Sequence, residues 1–168
     1  ETAPTNPKDY YYNGCDALFA KTTLQAFQEA GVKVGSIQEL LDMGVYLTTA
    51  VKCGKTGYAV STGTTVRCSS LLEREVALFP DVKAYLLMGD VAIKAFNTIA
   101  RHLGEPRPIP AGSTYKIRRG EFSFRGKRVF PSYLQAGPRF GIEKSKQRMI
   151  AEDIANAMDM YDEGLHET

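Results

Sequence analysis

The chain has no tryptophan, two histidines and three cysteines among its 168 residues. Each shortage closes off a class of chemistry. His102 and His166 stand alone, with no cysteine or carboxylate at ligand spacing, so a histidine-based metal site or catalytic triad is not expected and both read as surface residues. Cys15, Cys53 and Cys68 are an odd set in a chain able to build an ordinary core, which argues against a disulfide framework. Walker loops, internal repeats and low-complexity tracts are missing. There is no run of about 18 apolar residues and no basic-then-apolar leader, so the expectation is a cytoplasmic protein with no membrane partner. The net charge of +2 announces nothing by its size. Its distribution is more telling: Lys116, Arg118, Arg119, Arg125, Lys127, Arg128 and Arg139 crowd one segment, while Glu152, Asp153, Asp159, Asp162, Glu163 and Glu167 lie near the end.

With 43% hydrophobic and 24% charged residues, the chain is expected to form one domain around a sizeable core. Its most informative stretch is residues 82–103. Residues 84–88 are an unbroken apolar run of strand length, Gly89 is a turn residue, and Asp90 stands where a helix N-cap should be. Val91, Ala92, Ala95, Phe96, Ile99 and Leu103 then recur at helical spacing. A strand without polar alternation is usually covered on both faces, and ligands of such sheets gather at the carboxyl ends of the strands. The site is therefore expected near Gly89 and Asp90.

Around this unit the other elements are read in order. Pro4 and Pro7 make residues 1–14 a loop. Asp16 can cap a helix running to Ala30, and Ser36 with Glu39 forms a capping box for a short helix closed by Gly44. Residues 45–53, β-branched and aromatic, read as a strand, and residues 54–65 as a loop. Ser70 with Glu73 looks like a second capping box, opening a helix that Pro80 stops. Pro106, Pro108 and Pro110 mark an extended connector. Residues 114–132 look antiparallel, with Tyr115, Ile117, Phe122, Phe124 and Val129 alternating with basic residues and turns at Gly120 and Gly126. Residues 142–161 carry a helical apolar stripe through Met149, Ile150, Ile154, Ala157 and Met158. The fold class expected is α/β: a three-layer α/β/α sandwich with a mostly parallel central sheet and room for a first strand ahead of Glu1.

The order of residues 44–53, then Cys68, a Leu-Leu-Glu-Arg-Glu helix, Pro80, Leu86-Leu87-Met88-Gly89-Asp90, and finally Val129-Phe130-Pro131-Ser132-Tyr133 resembles the uracil-DNA glycosylase superfamily, most of all its iron–sulfur branch. The resemblance covers most of the chain. It implies a DNA glycosylase of base-excision repair that flips a damaged base, uracil or a related deaminated base, out of single- or double-stranded DNA and hydrolyses its N-glycosidic bond. Glu1, Thr2, Ala3 and Pro4 would belong to the first active-site loop, which meets the base and the attacking water. Tyr12 would stack on the base; Thr49, Gly89, Ser132, Tyr133 and Leu134 would line its pocket. Thr49 stands where an asparagine is usual, and Leu134 and Gln135 where His-Pro is expected. Cys53 and Cys68 occupy the places of two ligands of a 4Fe-4S cluster, whose other pair would have to lie upstream; without that pair they read as ordinary buried cysteines. A monomer is expected.

The basic residues admit two readings. Arg118, Arg119, Arg125, Lys127, Arg128 and Arg139 track DNA phosphates if they form one face. Alternation with Phe122 and Phe124 is equally what the solvated side of an ordinary hairpin produces. A second functional reading keeps the fold and pocket but not the chemistry, as a silent nucleic-acid or nucleobase-binding module.

Overall fold

The structure is a computed structural model that describes residues 12, 17–52, 59–137, 140–141 and 143–166, with the backbone alone for 161–166. Among the described residues it holds six helices and three strands, a mixed α/β architecture. Helix α1 (Leu18–Glu29) starts at Ala17 without a side-chain cap and gives way to Gly31 at φ +89°; Asp16, expected as its cap, lies outside the described residues. Helix α2 (Ile37–Asp42) is opened by the expected capping box. Ser36 Oγ accepts the Glu39 N–H at 3.1 Å, and the Glu39 carboxylate reaches back to the Gly35 N–H at 2.9 Å.

Helix α3 (Thr62–Val76) begins a full two turns before the expected box. Ser61 is its N-cap, accepting the Thr64 N–H at 3.1 Å. Ser70 sits inside the helix and donates to the Arg67 carbonyl at 3.0 Å. The reason is the buried stripe of Thr65, Cys68, Ser69 and Leu72, which recurs at i, i+3, i+4 and i+7 although two of its members are polar. A second correction concerns residues 45–52, which form no strand. Their composition suits a pleated surface, but β-propensity acts only where a partner strand exists. Here the hydrogen-bonding groups go to side chains instead: the Tyr12 hydroxyl accepts the Leu47 N–H at 2.6 Å and donates to the Leu47 carbonyl at 2.9 Å.

Strand β1 (Ala84–Met88), Gly89 and helix α4 (Asp90–His102) stand where the pattern predicts them. The N-cap, however, is Gly89 at φ +98°, ψ 163°, with Asp90 as the first helical residue. The segment expected to open the antiparallel excursion is a helical turn, α5 (Thr114–Ile117), in which Lys116 N–H and Ile117 N–H both return to the Ser113 carbonyl. Strands β2 (Phe122–Phe124) and β3 (Lys127–Ser132) then form the expected hairpin, with Arg125 at φ +51° and Gly126 at φ +76° in its two-residue turn. Helix α6 (Lys144–His166) closes the described chain.

The sheet order is β1-β3-β2, with β1 parallel and β2 antiparallel to β3. The expectation of a mostly parallel sheet is thus corrected to a mixed one among the described strands. Alternation along β1 divides the core. Tyr85 and Leu87 join Val129, Phe124, Ile93, Phe96, Ile99 and Leu72 in one apolar cluster. Leu86 and Met88 pack against the other, built from Ala20, Phe27, Ile37, Leu40, Ile150 and Ile154. Each fully buried aliphatic side chain contributes about 1.5–3 kcal/mol relative to exposure. The parallel pair β1 and β3 is therefore held from both sides, with its carboxyl ends side by side.

A candidate base-binding site at the carboxyl ends of the parallel strands

Register pairs Met88 with Ser132, the last residues of β1 and β3. One step beyond, the Gly89 N–H donates to the Ser132 carbonyl at 2.9 Å. The backbone of Gly89 is in a region open in practice only to glycine. A Cβ built there would lie 3.3 Å from Cβ of Leu134, so the loop after β3 lies directly on the turn that starts α4. Three residues expected at the base site, Gly89, Ser132 and Leu134, are brought together here. Tyr133 packs against the α1/α2/α6 cluster with the Lys146 ammonium 5.3 Å from its ring centroid. Leu134 is 51% exposed and apolar. Gln135, next in the chain, is buried, and its Oε1 has no hydrogen-bond partner among the described residues.

Beneath the loop lies a charge cluster that sequence reasoning missed. Ser132 Oγ donates to Asp153 Oδ2 at 2.5 Å, and Arg118 reaches Asp153 Oδ1 at 2.7 Å, Glu152 Oε2 at 2.9 Å and the Met149 carbonyl at 2.8 Å. Ser132, Asp153 and Arg118 are all buried. Burial pushes the Asp153 carboxyl above its ordinary value, offset in part by Arg118 and Ser132. Burial acts against the Arg118 charge as well, but its bonds to Asp153 and Glu152 outweigh that and hold the guanidinium above its ordinary value. The signal that could have found Asp153 is its place beside Ile150 and Ile154 on the buried stripe of α6, where a carboxylate needs a partner.

Loop 45–52 packs on both core clusters. Leu47 packs against the cluster that receives Met88 and Tyr133, and Ala50 against the one that contains Leu87 and Ile93. Tyr12, pinned to Leu47, stacks on Tyr46 at 5.8 Å and 13°, and Tyr46 meets Phe79 at 4.5 Å. All three rings remain more than one-third exposed. Glu75 of α3 anchors the loop, accepting from the Tyr46 hydroxyl at 2.9 Å, from Thr48 Oγ1 at 3.0 Å and from Lys52. Thr49 is half-buried and donates to the Val51 carbonyl at 3.0 Å.

Burial works against the charged form of Glu75, but Lys52, Tyr46 and Thr48 overcome it and hold the carboxyl below its ordinary 4.5. Burial and the Glu75 carboxylate push the Tyr46 phenol up to about 12. A carboxylate depressed in the folded state contributes stability above its unfolded value and loses it as pH falls through the lower folded one. Glu75→Gln should therefore flatten the acid limb of the thermal midpoint measured against pH below about 4.5. An acid limb identical to the parent's would contradict this role.

Among the described cations of the basic segment Arg118 is buried and Arg125 and Arg128 are engaged within the protein, which corrects the expectation that all of them form one phosphate-tracking face. Arg118 is in the core. Arg125 is paired with Glu105 at 2.6 Å, and Arg128 donates to the Phe122 and Gly120 carbonyls at 3.1 and 3.2 Å with its guanidinium over the Phe130 ring. The hairpin uses these long cations to cover its own aromatic rings and turn carbonyls. Arg119 is exposed and Lys127 half-buried. Arg139 and the first-loop residues Glu1, Thr2, Ala3 and Pro4 lie outside the described residues, as does Cys53. Cys68 is buried on α3, and among the described residues no three His, Cys, Asp or Glu side chains gather as metal ligands. No helix among the described residues is long and apolar enough to cross a membrane.

No protein-family model matches the chain, nor does any curated protein or solved structure.

Proposed function

We propose that the chain is a DNA glycosylase-like domain of the uracil-DNA glycosylase kind, a three-layer α/β/α sandwich that takes an extruded base at the carboxyl ends of β1 and β3. The supporting observation is the contact of Gly89 with the Ser132 to Leu134 loop at the end of a parallel strand pair, where α/β sheets bind ligands. In this reading Gly89 with Leu134 packed on it forms one wall of the pocket, Thr49 faces the base edge and the Tyr12 ring stacks on the base. Water held by the first loop, Glu1 to Pro4, adds to the sugar C1′ as the bond to the base nitrogen breaks, and the base leaves with a proton from solvent or backbone-held water. A 4Fe-4S cluster on Cys53 and Cys68 belongs to the same reading only if two further thiolates complete it, and the proposed chemistry does not depend on it. DNA is the partner, bound by a monomer.

A silent binding module is the second reading. Leu134 favours it: the side chain lying on Gly89 has no hydrogen to offer a departing base. The carboxylate beneath the loop, Asp153, is committed to Arg118 and Ser132.

Both readings need Tyr12 as the stacking surface. Tyr12→Ala should weaken binding of a uracil-containing oligonucleotide about 5- to 150-fold, the equivalent of roughly 1–3 kcal/mol per stacked base. Tyr12→Phe keeps the ring, loses the two Leu47 bonds, and should weaken binding less. Equal affinity of the alanine variant and the parent would remove Tyr12 from the site.

A further inference from the structure

A concavity opens between α4, whose first turn follows Gly89, and the Pro-rich connector after it. Its volume is about 240 Å³, and Asp90, Ile93, Lys94, Asn97, Arg107 and Thr114 are among the residues that line it. Its walls are fixed. Asn97 Nδ2 donates to the Ile109 carbonyl at 2.9 Å while Asn97 Oδ1 accepts the Ile109 N–H at 3.1 Å, so one amide side chain pairs with both backbone groups of a fully buried residue. Arg107 Nε donates to the same carbonyl at 3.0 Å. That bond orients the guanidinium and leaves its two terminal nitrogens open.

We propose that Lys94 and Arg107 form a phosphate subsite, which takes a backbone phosphate of the strand whose extruded base enters at Gly89. The inference rests on the DNA-binding reading above. Unlike Arg118 and Arg125, neither cation has a carboxylate within ion-pair distance among the described residues. A planar guanidinium with free terminal N–H groups and a nearby ammonium match the two charge-sharing oxygens of a monoanionic backbone phosphate. Position matters too. Asp90 directly follows Gly89, and Lys94 lies four residues further along α4, about 6 Å along the axis, within reach of a neighbouring nucleotide. Asp90 also lines the cavity and repels an anion, so the phosphate is directed to Lys94 and Arg107.

Binding of fluorescein-labelled oligothymidylate to the full chain, followed by anisotropy between roughly 50 and 200 mM salt, tests this. Neutralising one phosphate contact on a single strand removes about 0.7 from the slope of log K against log salt, and correspondingly lowers affinity roughly eightfold at about 50 mM. The double variant Lys94→Gln/Arg107→Gln should show both effects, with the thermal midpoint lowered by no more than the loss of the Arg107 bond to the Ile109 carbonyl. Lys33→Gln, at a separate depression near α1 and α6, should show neither. A slope and affinity equal to the parent's in the double variant overturns the proposal. A parent that binds no DNA contradicts the function proposed above and not this subsite by itself. In that case inorganic phosphate, titrated while the backbone amide resonances of Lys94, Arg107 and Gly112 are followed, decides. Saturable shifts lost in the double variant support a phosphate site, and no shifts overturn it.

Discussion

Asp153→Ala should destabilise the protein by about 3–5 kcal/mol, because it leaves the Arg118 guanidinium buried without its main counter-charge. For a chain of this size that lowers the thermal midpoint by roughly 6–20 °C. The side chains of Arg118 and Asp153 are 4% and 3% exposed, and Glu152, the other carboxylate in contact, is 44% exposed and a poor substitute. The loss reaches beyond α6. Ser132 Oγ also gives up its acceptor, and the Ser132 carbonyl is what receives the Gly89 N–H, so the loop over the proposed site loosens with the pair. Replacing both charges, Arg118→Met with Asp153→Leu, should recover much of the stability, since a well-packed apolar pair is often neutral or better than a buried ion pair. A calorimetric change below about 1 kcal/mol for Asp153→Ala would contradict the account of the cluster, because even an unsatisfied neutral group costs about that much.

Gly89→Ala carries the second large effect, and its mechanism is different. With φ at +98° and ψ at 163° the residue occupies backbone space essentially reserved for glycine, so any Cβ brings about 1–3 kcal/mol of strain. The new methyl also meets Leu134 at 3.3 Å, and the loop after β3 must give way. Stability should fall by the strain, and affinity for a base-containing oligonucleotide should fall further than stability alone explains, because the carboxyl ends of β1 and β3 no longer keep their spacing. Adding Leu134→Ala to Gly89→Ala separates the two causes. It relieves the contact and should restore part of the binding, while the backbone strain stays. Full recovery of stability in the double variant would show that the conformation of Gly89 is not the source of the loss.

How far the molecule was legible from its residues follows from where the information sits. The β1, Gly89 and α4 unit carries its own signals in neighbouring positions: an apolar run, a glycine and a 3.6-residue stripe. The Ser36 and Glu39 box is equally local, and so is the Gly126 hairpin turn. Residues 45–52 failed for the opposite reason. Their composition suits a strand, but pairing depends on what lies alongside, and here Tyr12 and Glu75, far away in sequence, take up their polar groups. Helix α3 starts early because a buried stripe containing Thr65 and Ser69 looks polar in one dimension. The same limit applies to the site. Gly89 and the Ser132 to Leu134 loop meet as the strand pattern suggests, whereas nothing in a row of basic residues tells that Arg118 turns into the core while Arg119 faces solvent. That distinction is made by Asp153, thirty-five positions away.

The central claim is that the carboxyl ends of β1 and β3 receive an extruded base from DNA. The most direct test is base release and binding, measured together on labelled single- and double-stranded oligonucleotides carrying uracil, hypoxanthine or xanthine, with the parent chain and Gly89→Ala side by side. The account predicts salt-dependent binding by the parent that is tighter for at least one of these bases than for the undamaged sequence, and weaker in the variant. Release of that base would establish the glycosylase, and binding without release the silent module. Affinity that ignores the lesion, and is the same in the parent and Gly89→Ala, would contradict the claim.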